Sequence, residues 1–291
     1  PNLVAGCVEQ GVPLVLSNAR LSDKSMRQAL RLARLSRPAY AALSAVWAQT
    51  ADDALRLERV GATVKGVFGN LKFDASPQPQ QLAQGRKWRR RLERPVVMFA
   101  SSREGEEAAF FKAIQQQQQQ REQQQGPVQW LVVPRHPQRF DEVAALAAAQ
   151  GLSVSRRSSW SDAPQQAEVW VGDSLGEMSL YYGLADAALL GGSFEPLGGQ
   201  NLIEAAAGGC PVVMGPHTFN FADAAQLAEE AGAALRVQTM EEAVRTAVAL
   251  ACDETRHEAV ATAALAFAEA HRGAARRTAQ ALLSQLAQAG R

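Results

Sequence analysis

Four short stretches carry residue types suited to holding a small charged ligand. The first, GGSFEPLGGQNLIEAAAGG, spans residues 191–209 and sets three Gly-Gly pairs around Asn201 and Glu204. Glycine lets backbone approach a ligand closely, and free N–H groups at a helix start can receive phosphate. An Asn201 that opens a helix would point those groups at a ligand. Glu204, one turn on, could accept both hydroxyls of a ribose. Asn-x-x-Glu is also close to a capping box, in which each side chain satisfies the other's backbone. Both readings stand. No Lys-Ser or Lys-Thr follows, and the spacing is neither G-x-x-x-x-G-K-[ST] nor G-x-G-x-x-G, so a triphosphate loop is not indicated.

The second stretch, VPRHPQRF, puts Arg135 and His136 directly after an apolar run. A guanidinium there suits phosphate through its two-pronged donor geometry. The competing reading is an arginine salt-bridged at the surface. The third, GDSLGEM, places Gly176 and Glu177 at a helix start, where backbone groups could read a base edge; alternatively Asp173 or Ser174 simply caps that helix. The fourth, GNLKFD, sets Lys72 just past a strand, where a cation can neutralise a leaving phosphate or merely be solvated. NARLS (18–22) also follows a strand. Asp52 and Asp53 read as helix-start caps. No Ser-His-Asp order, HExxH, CxxC pair or DxD-like metal pair stands in a convincing setting, so neither a metal nor a cofactor is expected.

The elements that must position these residues alternate. Buried strands at 13–18, 45–50 and around 64–70 are separated by helices, one of them a long Arg-rich helix from Ser22 to about Leu43. From Pro95 onward the strands PVVMFASS, VQWLVVP, LSVSRR, AEVWVGD, DAALLGG and PVVMG alternate with helices, and helices then run to the end. Such alternation gives βαβ units and a doubly wound parallel sheet. Ligands sit outside the carboxyl ends of its strands. Those ends fall at 101–102, 134–136, 172–173, 191–193 and 215–217, and all are small, polar or basic. The organisation expected is a first α/β domain over residues 1–80, a linker over 81–94, and a second domain over 95–291. The basic run Arg86–Arg91 in the linker is a solvated face or an anion or membrane patch. The glutamine tract 115–125 is a surface elongation with no chemistry.

Bulk composition sets limits. The chain has 291 residues, 47% hydrophobic and 20% charged, with 30 Lys+Arg against 29 Asp+Glu. Nothing in that balance calls for nucleic acid. The three scattered cysteines suggest a reducing compartment and no metal site. No apolar run of 18 residues is present. The chain opens at Pro1 on a helical pattern, which reads as the middle of a longer protein.

Taken together, LVLSNARLS, GNLKFD, SSREGEE, VPRHPQRF, VGDSLGEM, YGLADAALLGGSF and GGQNLIEAAAGGCPVVMGPHTFNF, in this order, resemble the family of 3-deoxy-D-manno-octulosonic acid (Kdo) transferases. The resemblance covers nearly the whole chain apart from the glutamine tract and the tail. It implies a GT-B glycosyltransferase with two Rossmann-like domains, the first incomplete here. The activity implied is transfer of Kdo from CMP-Kdo to the lipid A precursor (lipid IVA) at the cytoplasmic face of the inner membrane, with inversion and without metal. Carried over, the CMP site comprises Pro134 and Arg135, then Leu175, Gly176 and Glu177, then Asn201, Leu202, Ile203 and Glu204. Lys72 matches the lysine that stabilises the transition state. The family also has an N-terminal membrane anchor and acceptor-binding half, with a glutamate general base and a second glutamate in a TELWPN motif. This chain opens at the PN of that motif, so it is expected to hold the donor and fail to transfer it. Gln200 stands where the family pattern has His. The alternatives are another GT-B nucleotide-sugar enzyme, a UDP-sugar transferase or epimerase, and a non-catalytic nucleotide-binding fragment.

Overall fold

The computed structural model describes residues 2–121 and 128–289. The chain forms two compact units, Pro1–Ala75 with Ala270–Arg291, and Ser76–Glu269.

The first unit contains a three-stranded sheet, β1 (Val15–Ala19), β2 (Ala45–Ala48) and β3 (Val64–Val67), parallel and in that order. Leu21, Met26, Val46, Leu57 and Val60 form its core. The expected long Arg-rich helix is two helices, Asp23–Arg31 and Ala33–Ala41, broken at Leu32. The Ser36 hydroxyl reaches back 2.6 Å to the Ala29 carbonyl, which also accepts from the Leu32 N–H at 3.2 Å. Asp53 is not a cap. Thr50 caps the helix Ala51–Arg59, while Asp53, 3% exposed, accepts from the Leu21 N–H and pairs with Arg56.

The second unit holds seven parallel strands: β4 (Val96–Ser102), β5 (Gln129–Pro134), β6 (Val154–Arg156), β7 (Val169–Val171), β8 (Ala187–Leu190), β9 (Val212–Met214) and β10 (Ala234–Arg236). Their order is β10-β9-β8-β4-β5-β7-β6. Strands covered on both faces become continuous apolar runs, and β5 is buried at all six positions. One face packs Val97, Phe99, Phe110, Phe111, Ile114 and Val244 into a single cluster. The chain leaves β4 toward β5 and later returns to its other side as β8. The crevice of a doubly wound sheet therefore opens between the ends of β4 and β8. β10 was not anticipated: three residues at a sheet edge leave almost no alternation to read.

The observed division differs from the expected one in two places. Residues 81–94 are not a linker; the helix Pro79–Arg89 packs in the second unit against the helix Met178–Leu184. The two backbones meet at glycines. A Cβ on Gly85 would lie 2.1 Å from the Leu180 carbonyl oxygen, and one on Gly183 would lie 2.4 Å from that of Leu82. The basic run is partly tied down, Arg86 to the Gly208 carbonyl and Arg89 to Asp186 at 2.6 Å. Second, the tail joins the first unit. Asp74 accepts from the N–H groups of Gly273 (2.6 Å) and Ala275 (2.7 Å), capping the terminal helix Ala274–Ala289 from 200 residues away, and Arg277 donates to the Phe68 carbonyl. The helix Glu106–Arg121 carries the first part of the glutamine tract, and residues 122–127 lie outside the described residues.

Candidate functional site

The loops that follow β4, β5, β7, β8 and β9 all leave the carboxyl edge of the seven-stranded sheet, because every strand in it is parallel. Of the nine residues expected at the nucleotide, Pro134 ends β5 and the other eight lie on those loops or on the short helices they open. Lys72 does not: it lies in the first unit, exposed, in the turn Leu71–Asp74 after β3. Asn18, in a left-handed conformation at φ 52°, holds that turn by accepting from the Leu71 N–H at 3.1 Å.

Pro134 ends β5, buried, and pairs with Ser102 of β4. Arg135 follows, its N–H donating to the Ser102 carbonyl at 3.0 Å. Its side chain is exposed and forms no ion pair or hydrogen bond with any described residue. The surface salt bridge is therefore not what occupies this guanidinium.

The loop after β7 is held differently. Leu175 is 73% exposed, and Gly176 has φ +75° with open space where a Cβ would be. The Gly176 carbonyl accepts from Gln81 at 2.9 Å. Glu177 pairs with Arg157 at 2.9 Å and also accepts from the Ser174 hydroxyl. Arg157 lies over the rings of Trp88 and Trp160, 5.4 and 6.0 Å from their centroids. Asp173 accepts from Arg156 and from the Ser158 N–H and hydroxyl. Burial pushes the Asp173 carboxyl up, but those donors outweigh it and hold it below the usual range.

After β8 the glycines mostly serve chain-to-chain packing. A Cβ on Gly191 would lie 2.1 Å from the Ser101 carbonyl oxygen, and one on Gly198 would lie 2.3 Å from the Asn220 side chain. The first amides of this loop are also taken. Glu106, 1% exposed, accepts from the N–H groups of Gly192 (2.8 Å), Arg103 (3.0 Å) and Phe194 (3.1 Å). Burial raises its pKa, opposed by those same N–H groups. Glu107 accepts from Ser102 and pairs with Arg139 at 3.2 Å. The sequence reading singled out neither glutamate; their position directly behind a strand end, in SSREGEE, was the available signal.

The helix begins at Ile203, two residues later than expected, and runs only to Ala207. Asn201 Oδ1 accepts from the Ile203 N–H at 3.0 Å, so Asn201 makes a local turn ahead of the helix. The capping box does not form: Asn201 accepts from Ile203 and not from the Glu204 N–H, and Glu204 does not return to the Asn201 backbone. Its carboxyl meets the Ser179 hydroxyl at 3.4 Å, and burial raises its pKa, with Ser179 opposing. Ser179 also accepts from the Gln78 N–H, so one hydroxyl ties together the helices starting at 79, 178 and 203. Leu202 and Ile203 are buried at 1% exposure and anchor the turn. The N–H groups of Gln200, Asn201 and Leu202 find no acceptor among the described residues. Nor is any group of three or more His, Cys, Asp or Glu among those residues placed to hold a metal.

A family model described as 3-deoxy-D-manno-octulosonic-acid transferase (kdotransferase) matches residues 1–75. A protein from Bordetella pertussis named 3-deoxy-D-manno-octulosonic acid transferase is 49% identical over 283 residues, covering 97% of this chain and 66% of its own length. The chain belongs to the Kdo transferase family. It spans about two thirds of that relative. A crystal structure of the C-terminal CMP-Kdo binding domain of WaaA from Acinetobacter baumannii matches with a TM-score of 0.59 and 28% identity, over 65% of this chain and 98% of that one. Anabaena Alr3699/HepE in complex with UDP matches with a TM-score of 0.55 and 16% identity, over 97% of this chain and 75% of that one, a likeness of fold. The fold is that of the GT-B glycosyltransferases.

Proposed function

We propose that the second unit binds the CMP moiety of CMP-Kdo, and that the protein transfers Kdo from it to the lipid A precursor, lipid IVA, in lipopolysaccharide biosynthesis. The observation that carries this is the exposed, unpaired Arg135 guanidinium on the same sheet edge as the unpartnered amides of Gln200–Leu202. The relative's name and the Acinetobacter domain support the identity of the donor. In this reading Arg135 and the amides take the single phosphate. The Glu204 carboxyl takes the ribose, and the backbone at Leu175–Glu177 meets the base. Pro134, Leu202 and Ile203 hold those groups in place.

In transfer, the bond from the anomeric carbon to the phosphate oxygen breaks and its electron pair leaves with CMP. The acceptor hydroxyl attacks from the opposite face, inverting that carbon, and gives its proton to a general base. Preorganised donors at the departing charge contribute about 3 kcal/mol each to such a step. Lys72, on the first unit, keeps in this proposal the transition-state-stabilising role that the family resemblance implies. A monophosphate leaving group carries less charge than a diphosphate, which suits a metal-independent reaction. A lipid acceptor calls for work at a membrane surface, and the family resemblance makes that the cytoplasmic face of the inner membrane; no helix among the described residues is long and apolar enough to cross one.

Calorimetric titration with CMP and with UDP tests the donor. CMP is expected to bind tighter; a preference for UDP would favour another GT-B enzyme, one acting on a UDP-sugar. The family resemblance assigns the general base to a single glutamate outside the motifs that this chain carries, so we expect the chain assayed alone to bind donor without transferring it.

A further inference from the structure

Around the carboxyl edge of the seven-stranded sheet, most arginines are committed. Arg139 pairs with Glu107, Arg156 with Asp173, Arg157 with Glu177 and Arg236 with Glu229. Two are not: Arg135, and Arg103, which follows β4 directly. No side-chain hydrogen bond or ion pair joins Arg103 to a described residue. Two of the nearby carboxylates are engaged elsewhere. Glu106 is saturated by backbone N–H groups, and Glu104 faces Arg139 at 3.9 Å. The Glu195 side chain packs toward Gly105.

Both free cations hang from one peptide group. The carbonyl of the Ser102–Arg103 peptide accepts from the Arg135 N–H at 3.0 Å, and its N–H donates to Glu106 at 3.0 Å. The two side chains therefore start from a rigid, shared support at the crevice between β4 and β8. Arg103 also approaches Gln200. A Cβ built on Gly192 would lie 3.6 Å from Arg103 Cγ and 3.2 Å from Gln200 Nε2, so the arginine stem and the amide converge above a glycine that leaves the space open. Gln200 has no side-chain partner among the described residues.

A phosphate claims one guanidinium. A second one, beside an amide donor, fits a second anion on the same ligand, and guanidinium matches a carboxylate through two parallel N–H···O bonds. We infer that Arg103, with Gln200 beside it, binds the carboxylate of the donor sugar, and so selects an acidic sugar over a neutral one. This rests on the proposed donor. It makes Arg103 a substrate-binding residue distinct from those that hold the nucleotide.

The experiment titrates the wild-type chain and its variants with CMP and with intact CMP-Kdo. CMP alone reads the nucleotide assignment; the ratio of the two affinities reads the sugar carboxylate. Wild type is expected to bind CMP-Kdo tighter than CMP. Arg103→Ala is expected to weaken CMP-Kdo by about tenfold or more, the scale of a charge-assisted hydrogen bond, and to leave CMP within about twofold. Gln200→Ala should move the same ratio in the same direction by less. Equal loss for both ligands in Arg103→Ala, no loss for either, or no advantage of CMP-Kdo over CMP in wild type overturns the inference. If Arg103→Ala fails to fold, Arg103→Lys decides it: the ratio must fall, because one ammonium cannot make the paired contact. A wild-type preference for UDP, or no binding of CMP, removes the donor assignment and this inference with it.

Discussion

Two neighbouring loops of one sheet edge treat their charges in opposite ways. After β5, Arg135 is positioned by a backbone hydrogen bond and its guanidinium has no partner among the described residues. After β7, Glu177 is clamped by Arg157, itself stacked over Trp88 and Trp160, and Asp173 is surrounded by donors. The first arrangement keeps a charge for a ligand. The second spends its charges on fixing a loop, so that its exposed backbone at Leu175 and Gly176 keeps one shape. A binding edge needs both, and residue type alone does not distinguish them.

Breaking the clamp should produce the largest effect on stability. Arg157→Ala removes the Glu177 pair and both ring contacts, and is expected to destabilise the chain by about 2 kcal/mol in urea unfolding, discounted for partial exposure of the pair. If it unfolds like wild type, the clamp is not holding the loop. Arg135→Ala should do the reverse. Its unfolding midpoint should match wild type, while CMP affinity falls about tenfold, or ~1.4 kcal/mol. A lower midpoint with unchanged affinity would reverse the contrast between the loops.

The smallest effect concerns Glu204. Burial raises its pKa above 4.5 in the folded state. A carboxyl with a raised folded pKa contributes stability that is fully present below its unfolded pKa and is lost as pH rises through the folded value. Wild type should therefore lose stability relative to Glu204→Gln as pH climbs above about 4.5. Parallel pH–stability curves for the two would contradict the burial of this group. The raised values of Glu106 and Glu107 act in the same direction but are common to both proteins.

Much of this was readable beforehand because it depends on local pattern. Alternating apolar runs marked β4, β5, β7, β8 and β9, and strand ends gave the loops that carry Arg135, Gly176 and Asn201. What escaped depends on contacts distant in sequence. Asp74 capping a helix 200 residues away moved the tail to the first unit. The Gly85–Gly183 crossing turned an apparent linker into a packed helix. Glu106, reaching 86 residues to Gly192, consumes amides that the glycine pattern seemed to offer to a phosphate. The Gly-Gly pairs were read as clearance for a ligand; at Gly191 and Gly198 the structure uses that clearance for protein against protein.

The central claim is that CMP binds along this one edge. Backbone amide shifts of the isotopically labelled chain, followed as CMP is added, test it most directly. The account predicts saturable shifts at Arg135, Gly176, Gln200 and Asn201, with the β10 edge strand unmoved. Shifts that saturate elsewhere while these four stay fixed would contradict it.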